Sequence, residues 1–464
     1  MNRYICANDA LHAPTKLKRA VCKSKSRRPL WVAGAAAVTA AAIMLAVLFW
    51  PSPAEEAPQN NFPLNNPLIT KAGAAELIAE PKYPNKVQWQ LRPEDDSALY
   101  DFYYDTAREF LSDTGTENRL YSPLNLYLAL GMLAEITEGE SREQILDLLN
   151  CETMEELRSF VSALWNVNYR DDDYITSLLS SSLWLRDDTQ YNMDTMQTLA
   201  DTYYASSYSG TMGSDAMNDS FRDWLNEATG GLLSGQINEL ELDADTVLAL
   251  VSAIYLEASW EDKFSEAKTE PDTFHAPDGD VTVDFLNQKT DRNYYWGENF
   301  SAVSLYLAES GRMWILLPDE DSSVDELLSA DALNLVIDPY SWETQEYLEV
   351  DLSIPKFDVS SQIDLKEGLK NLGITNVFSD QTADFSPVSA DDGNLVLSTA
   401  IHGARAMIDE EGCLGAGYTI LGTEATAALG PEAQEVVFTA DRPFLFAITG
   451  VDGQILFLGV VNQP

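Results

Sequence analysis

Basic residues are scarce in this chain of 464 residues: 29 lysines and arginines stand against 74 aspartates and glutamates, a formal net charge of -45. The few there are cluster at one end. Residues 1–50 hold eight of them (Arg3, Lys16, Lys18, Arg19, Lys23, Lys25, Arg27, Arg28) against the single acid Asp9, so the rest of the chain carries about -52. A body so acidic excludes nucleic acid, heparin-like polyanions and anionic lipid as its partners. Histidine is almost absent too, with only His12, His275 and His402. A Ser-His-Asp hydrolase needs a placed histidine as base, and GxSxG, HExxH and GxxxxGK[ST] are all missing, which argues against an enzyme. Cysteine is limited to Cys6, Cys22, Cys151 and Cys413. No pair has metal-ligand or redox spacing, so neither a metal nor a disulfide framework is expected. No pattern calls for a cofactor.

One long hydrophobic run exists. Leu30–Trp50 is 21 residues without a charge, long enough to cross a bilayer, and the basic cluster lies on its N-terminal side. Positive flanks stay in the cytoplasm, so residues 1–29 are expected inside, 30–50 as a transmembrane signal-anchor, and the bulk of the chain outside. Secretion after signal cleavage is the alternative, although such signals have shorter apolar cores and Ser52-Pro53-Ala54 is a poor cleavage site. Residues 51–90 are rich in Pro, Asn, Ala and Glu and read as a stalk, leaving 91–464 as the folded domain.

Within that domain the periods are mixed. Leu99, Phe102, Tyr103, Ala107 and Phe110 recur at helical spacing. Ser122-Pro123 is a helix start, with a capping hydroxyl and a proline in the first turn, and the helix that follows is apolar all round and therefore buried. An amphipathic helix ends at Gly230-Gly231. The apolar run DTVLALVSAIYLEASW, between Asp243 and Asp262, fits a central strand. Hairpins are expected around Asp278-Gly279 and Ser310-Gly311, further strands at DLSIPKFDV and LVLSTA, and a helix at DLKEGLKNLG between them. Strands and helices do not alternate strictly, so the class is α+β.

The segment from Ile401 organises the rest. IHGARAMIDEE alternates, with His402, Ala404, Ala406, Ile408 and Glu410 on one face of a strand. From Gly412 to Asp441 the text becomes small residues with no lysine or arginine, a loop too long to be incidental. PFLFAIT, an Asp452-Gly453 turn and QILFLGVV close the chain as a hairpin.

Taken together, these pieces resemble the serpins. Tyr121-Ser122-Pro123-Leu124-Asn125, Gly139-Glu140-Ser141-Arg142-Glu143-Gln144-Ile145, LVSAIYLEASWEDKF with Trp260, NLGITNVF, HGARAMIDEEG, RPFLF and FLGVVNQP match the family's text in its order from about Pro93 to Pro464. The resemblance implies a serpin fold: a large mixed β-sheet A with two further sheets, surrounding helices and an exposed reactive-centre loop. It also implies a monomer that acts as a suicide substrate, in which a target serine protease cuts the loop, forms a covalent acyl-enzyme complex, and is disarmed as the loop inserts into sheet A. Adding about a dozen residues at about 1 kcal/mol per hydrogen bond releases on the order of 10 kcal/mol.

By the same resemblance the hinge and inserting segment are Glu410, Glu411, Gly412, Cys413, Leu414, Gly415, Ala416, Gly417, Tyr418 and Thr419. The family usually has Thr and Glu where this chain has Cys413 and Leu414. Alternation would put Cys413, Gly415, Gly417 and Thr419 on the face that buries, and Leu414, Ala416, Tyr418 and Ile420 on the other. Counting the family's loop length from Gly412 puts the reactive bond between Thr426 and Ala427. With no Lys or Arg between Arg405 and Arg442, a trypsin-like pocket has nothing to bind, whereas small residues suit elastase-like or subtilisin-like enzymes. In the sheet-opening region His402 is expected beside Ser122 and Ser252, and Lys356 paired with Glu410 near Trp260. Cys413, in the loop, is expected as an exposed thiol. Asn218 and Asn299 begin glycosylation sequons. A non-inhibitory binding or scaffold protein with the same fold is the rival reading.

Overall fold

The computed structural model describes residues 75–82, 97–171, 175–231, 237, 240–308, 311–389, 395–398, 400–413 and 435–464. The run Leu30–Trp50, the segment Leu414–Thr419 and the bond Thr426–Ala427 lie outside the described residues. Among the described residues no helix is long and apolar enough to cross a membrane.

In chain order the strands are β1 (Glu76–Ala79), β2 (Arg119–Tyr121), β3 (Arg170–Asp171), β4 (Ile175–Arg186), β5 (Ala205–Gly210), β6 (Leu248–Ser259), β7 (Glu270–Ala276), β8 (Gly279–Trp296), β9 (Phe300–Tyr306), β10 (Arg312–Pro318), β11 (Gln345–Pro355), β12 (Phe357–Asp364), β13 (Ile401–Ile408), β14 (Gly412–Cys413), β15 (Glu435–Thr439), β16 (Phe444–Thr449) and β17 (Ile455–Val461). The helices are α1 (Ala98–Leu111), α2 (Pro123–Glu135), α3 (Gly139–Leu148), α4 (Met154–Asn168), α5 (Met193–Thr202), α6 (Asp215–Ala228), α7 (Ala330–Ile337) and α8 (Leu365–Asn371).

One sheet runs β1-β5-β4-β6-β14-β13-β12, with β3 on β4; it is mixed, since β4 and β5 are parallel. The other runs β15-β11-β8-β9-β10-β16-β17-β2, with β7 on β8. The two further sheets expected from the resemblance are therefore one hydrogen-bonded sheet. The 18-residue β8 makes it so, pairing with β7 and β11 along its length and with β9 at its end.

Local chemistry accounts for these elements. The Ser122 hydroxyl accepts from the Asn125 N–H at 3.2 Å and Pro123 occupies the first turn, so α2 starts where the capping pattern placed it. Apolar on every side, α2 contacts β6 of the first sheet and β17 of the second and is enclosed by both. α6 ends at Gly230 and Gly231, both at positive φ. β6 is central, and its two faces serve different cores: Leu248, Ile254 and Leu256 join the main one, while Ala249 and Ala253 join a second cluster with Trp184, Tyr208, Phe221 and Trp224 under α6.

Three expectations need correction. Part of the presumed stalk is sheet: Glu76–Ala79 pairs antiparallel with β5, with Leu77 against the α6 cluster and Ile78 against the main core. LVLSTA is not a strand; its described residues 395–398 and 400 run without ladder partners, although Leu395 and Leu397 are buried. The long loop is shorter than 412–441, because both its ends are strands, Gly412–Cys413 and Glu435–Thr439.

Candidate functional site: the opening of the first sheet

β13 buries His402, Ala404, Ala406 and Ile408 and leaves the intervening residues half-exposed, as the alternation requires. The chain then turns. The Asp409 side chain accepts from the N–H groups of Glu411 (2.8 Å) and Gly412 (3.2 Å), closing a tight bend that sends the backbone back toward β6. The segment after β6 clamps this bend from outside. The Trp260 N–H donates to Glu411 O (2.9 Å), its indole Nε1 to Asp409 O (2.8 Å), and the Phe264 N–H to Glu410 O (3.0 Å). Trp260 is buried with Phe264 edge-on to it.

Ion pairs complete the clamp. Lys356 Nζ is 2.9 Å from Glu410 Oε2, and the Thr269 hydroxyl donates to Glu410 Oε1 at 2.7 Å. Partial burial pushes the Glu410 carboxyl upward, but the hydrogen bonds from Lys356 and Thr269 outweigh it and hold the group below its ordinary range. The hydrogen bond from Glu410 in turn raises Lys356. Lys263 pairs with Glu411.

Beyond the bend, Gly412 and Cys413 form β14. Gly412 pairs with Ser259 and Cys413 with Ala258 on β6, and Cys413 also pairs with Ile408 on β13. The head of the hinge is thus seated between the two strands. Below it, among the described residues, β6 and β13 share no ladder; each is joined to the other only through β14. A cavity of about 70 Å³ lies there, lined by Leu250, Ser252, Ile401 and Gly403 of the strands and Phe221 and Leu225 of α6. Gly412 is there because nothing larger fits: a Cβ would fall 2.2 Å from Ala258 O.

Cys413 is not the exposed thiol expected. Only 2% exposed, its Sγ lies 3.9 Å from Met313 Sδ, and burial pushes its pKa far up, so it behaves as a small apolar side chain. Its burial agrees with the face assigned to it; the later residues of that face lie outside the described ones.

At the lower end His402 is 3% exposed. Its Nε2 accepts from the Ser122 backbone N–H at 2.9 Å, which fixes the tautomer with hydrogen on Nδ1. Tyr121 is edge-on to the ring, and burial lowers its pKa to about 4. Ser252 is not its partner: that hydroxyl donates to Asn125 Oδ1. Asn125 was missed. Buried in α2, it ties that helix to β6, and a lone amide in an otherwise apolar helix was the signal for it.

Neither remaining histidine-based nor metal-based chemistry assembles. His275 is an exposed hairpin residue paired with Asp280 at 2.8 Å, and among the described residues no group of three His, Cys, Asp or Glu is placed to hold a metal. Asn218 is buried in α6 with its Oδ1 accepting from the Leu242 N–H, so in the folded protein its sequon is closed.

What the geometry offers is a sheet with a strand-wide slot, its first two residues filled by the chain leading into the loop. Comparison with known proteins agrees with this. The model of the family "Serpin (serine protease inhibitor)" matches residues 97–464. The human leukocyte elastase inhibitor is 30% identical over 364 residues, covering 75% of this chain and 92% of that protein. The native-state crystal structure of a thermophilic serpin, tengpin, superposes with a TM-score of 0.71 at 24% identity, over 84% of this chain and all of that one. Thyroxine-binding globulin in complex with thyroxine superposes with a TM-score of 0.67 at 24% identity, over 79% of this chain and 98% of that one. With a family model spanning its whole folded part, a seated hinge and a clamp of Trp260, Lys356 and Glu410 around it, the chain belongs to the serpin family.

Proposed function

We propose that the protein inhibits elastase-like or subtilisin-like serine proteases as a single-use substrate. The target's serine attacks the carbonyl of Thr426, the Thr426–Ala427 bond breaks, Ala427 leaves as a free amine, and Thr426 stays esterified to the enzyme. Insertion of Leu414–Thr419 between β6 and β13 then drags the ester away before water reaches it. The observation that carries this reading is β14: two hinge residues already hydrogen-bonded into a sheet whose neighbouring strands share no ladder beneath them. The absence of Lys and Arg between Arg405 and Arg442 selects the protease class. The likeness to a leukocyte elastase inhibitor supports the same choice.

The test is a denaturing gel with neutrophil elastase and with trypsin. Elastase should give a complex that survives boiling, and mass spectrometry should place the start of the released peptide within two residues of Ala427. Complex with trypsin alone would sink the specificity; cleavage with no complex would favour a binding or scaffold role, the reading to which thyroxine-binding globulin lends weight.

The same proposal places the domain outside the cell, tethered by Leu30–Trp50 with residues 1–29 inside; secretion after cleavage is the alternative. Protease added to intact cells should remove the domain and spare residues 1–29, and a soluble form beginning near Glu55 would refute the anchor.

A further inference from the structure

We infer that the solvent face shared by β8, β11 and β15 is a second contact surface for the protease engaged at the loop, and that the protease meets it with basic side chains around an apolar one. This rests on the reading of residues 414–434 as a protease-cut loop.

Register places the residues. Across the ladders Glu349 of β11 lies opposite Asp291 of β8 and Glu435 of β15, and Asp351 lies opposite Lys289 and Val437. Residues directly opposite share a face, so Asp291, Glu349, Asp351 and Glu435 form one acidic field with Lys289 inside it. Lys289 is already used: its Nζ is 3.1 Å from Glu349 and 2.7 Å from Glu435. Four carboxylates against one ammonium leave the field negative, and facing Glu349 with Asp291 works against stability. In the middle of this charge two apolar side chains stand out, Tyr347 and Val437, each 67% exposed. A face built only for solubility has no use for them, whereas an apolar centre with a charged rim is the make-up of a protein contact.

Its position selects the occupant. β15 begins at Glu435, eight residues past Ala427, and an extended segment of that length spans at most about 29 Å. A protease domain of about 230 residues has a radius of gyration of about 17 Å, so an enzyme seated on the Thr426–Ala427 bond reaches this face. Charge selects its chemistry. A body of about -52 steers a cationic enzyme, and raises its association rate by about ten- to a thousandfold at low salt.

The experiment measures the second-order rate of loop cleavage by neutrophil elastase, a cationic enzyme, between 50 and about 500 mM NaCl. Full-length protein is compared with Glu349→Gln/Asp351→Asn/Glu435→Gln and with Tyr347→Ser, and a synthetic peptide of residues 414–434 serves as the loop alone. All substituted side chains are exposed or half-exposed, and unchanged melting verifies folding. The triple variant should be cut at least tenfold more slowly at low salt and at the wild-type rate at high salt. Tyr347→Ser should be a few-fold slower throughout, and the peptide should be nearly indifferent to salt. Equal rates for wild type and triple variant at every salt concentration would overturn the proposal, as would a concentration-dependent dimer that covers the face. Because cleavage is read whether or not a covalent complex follows, failure of inhibition and failure of this surface are separate results.

Discussion

Replacing Gly412 with alanine tests whether the hinge is held in the sheet by fit. The added Cβ would lie 2.2 Å from Ala258 O and 2.7 Å from Ser259 Cα, where ordinary contact begins at 3.4 Å, so something must move by roughly 1 Å. The obstructing atoms are backbone of β6, a central strand, and cannot swing aside. Forcing a methyl into such a site costs about 1–3 kcal/mol. What holds β14 in place is of similar size: the burial of one small side chain, about 1 kcal/mol, and a few hydrogen bonds at about 1 kcal/mol each. The balance therefore shifts toward a withdrawn hinge, raising its population by about five- to 150-fold. Cys413 reports it, because a thiol buried and pushed far above its usual pKa reacts only from the withdrawn state. Maleimide labelling at neutral pH, followed by peptide mass mapping to separate Cys413 from Cys6, Cys22 and Cys151, should show labelling of Cys413 faster by that factor in Gly412→Ala, with little change in global melting. Identical labelling of Cys413 in the two proteins would refute the argument from close approach.

Two further predictions concern the same opening. If Thr419 shares the buried face of Cys413, Thr419→Arg should be cut like wild type yet release active protease, since an unpaired guanidinium resists burial, while Tyr418→Arg should still trap; equal behaviour would mean the register is wrong. His402 titrates near 4 when folded and near 6.5 when unfolded, so the unfolded chain takes up the proton first; the stability this buried ring contributes is whole above about pH 6.5 and is lost as pH falls toward 4. His402→Gln, which keeps an acceptor for the Ser122 N–H, should flatten the dependence of melting temperature on pH in that window; an unchanged slope would place the effect elsewhere.

Much of this architecture was legible because local signals were strong. The Ser-Pro cap of α2, the Asp-Gly turns and the alternation of β13 each follow from one or two residues whose chemistry has a single outcome. Other parts depended on contacts that no local pattern carries. The four residues of β1 are too few to show a period, and their Pro- and Asn-rich surroundings suggest a linker; only the open edge of β5 makes them a strand. LVLSTA has the composition of a strand and no free partner. Cys413 looked exposed because it precedes a loop, and is buried because the Asp409 bend turns it into the sheet. Ser252 and Asn125 lie 127 residues apart, so their hydrogen bond was invisible in the sequence, and the hydroxyl was given to the histidine instead.

β1 has one more effect. The outermost strand of a sheet offers unpaired amides and carbonyls to any passing chain, and molecules tethered on a common surface meet far more often than molecules in free solution. By laying its own Glu76–Ala79 along β5, the protein withdraws Ser207–Ser209 from that exchange and leaves at the rim only a four-residue strand that begins with one carboxylate and is followed by another, Glu76 and Glu80. A sheet that must open to receive a strand from within is in this way closed to strands from its neighbours at that border.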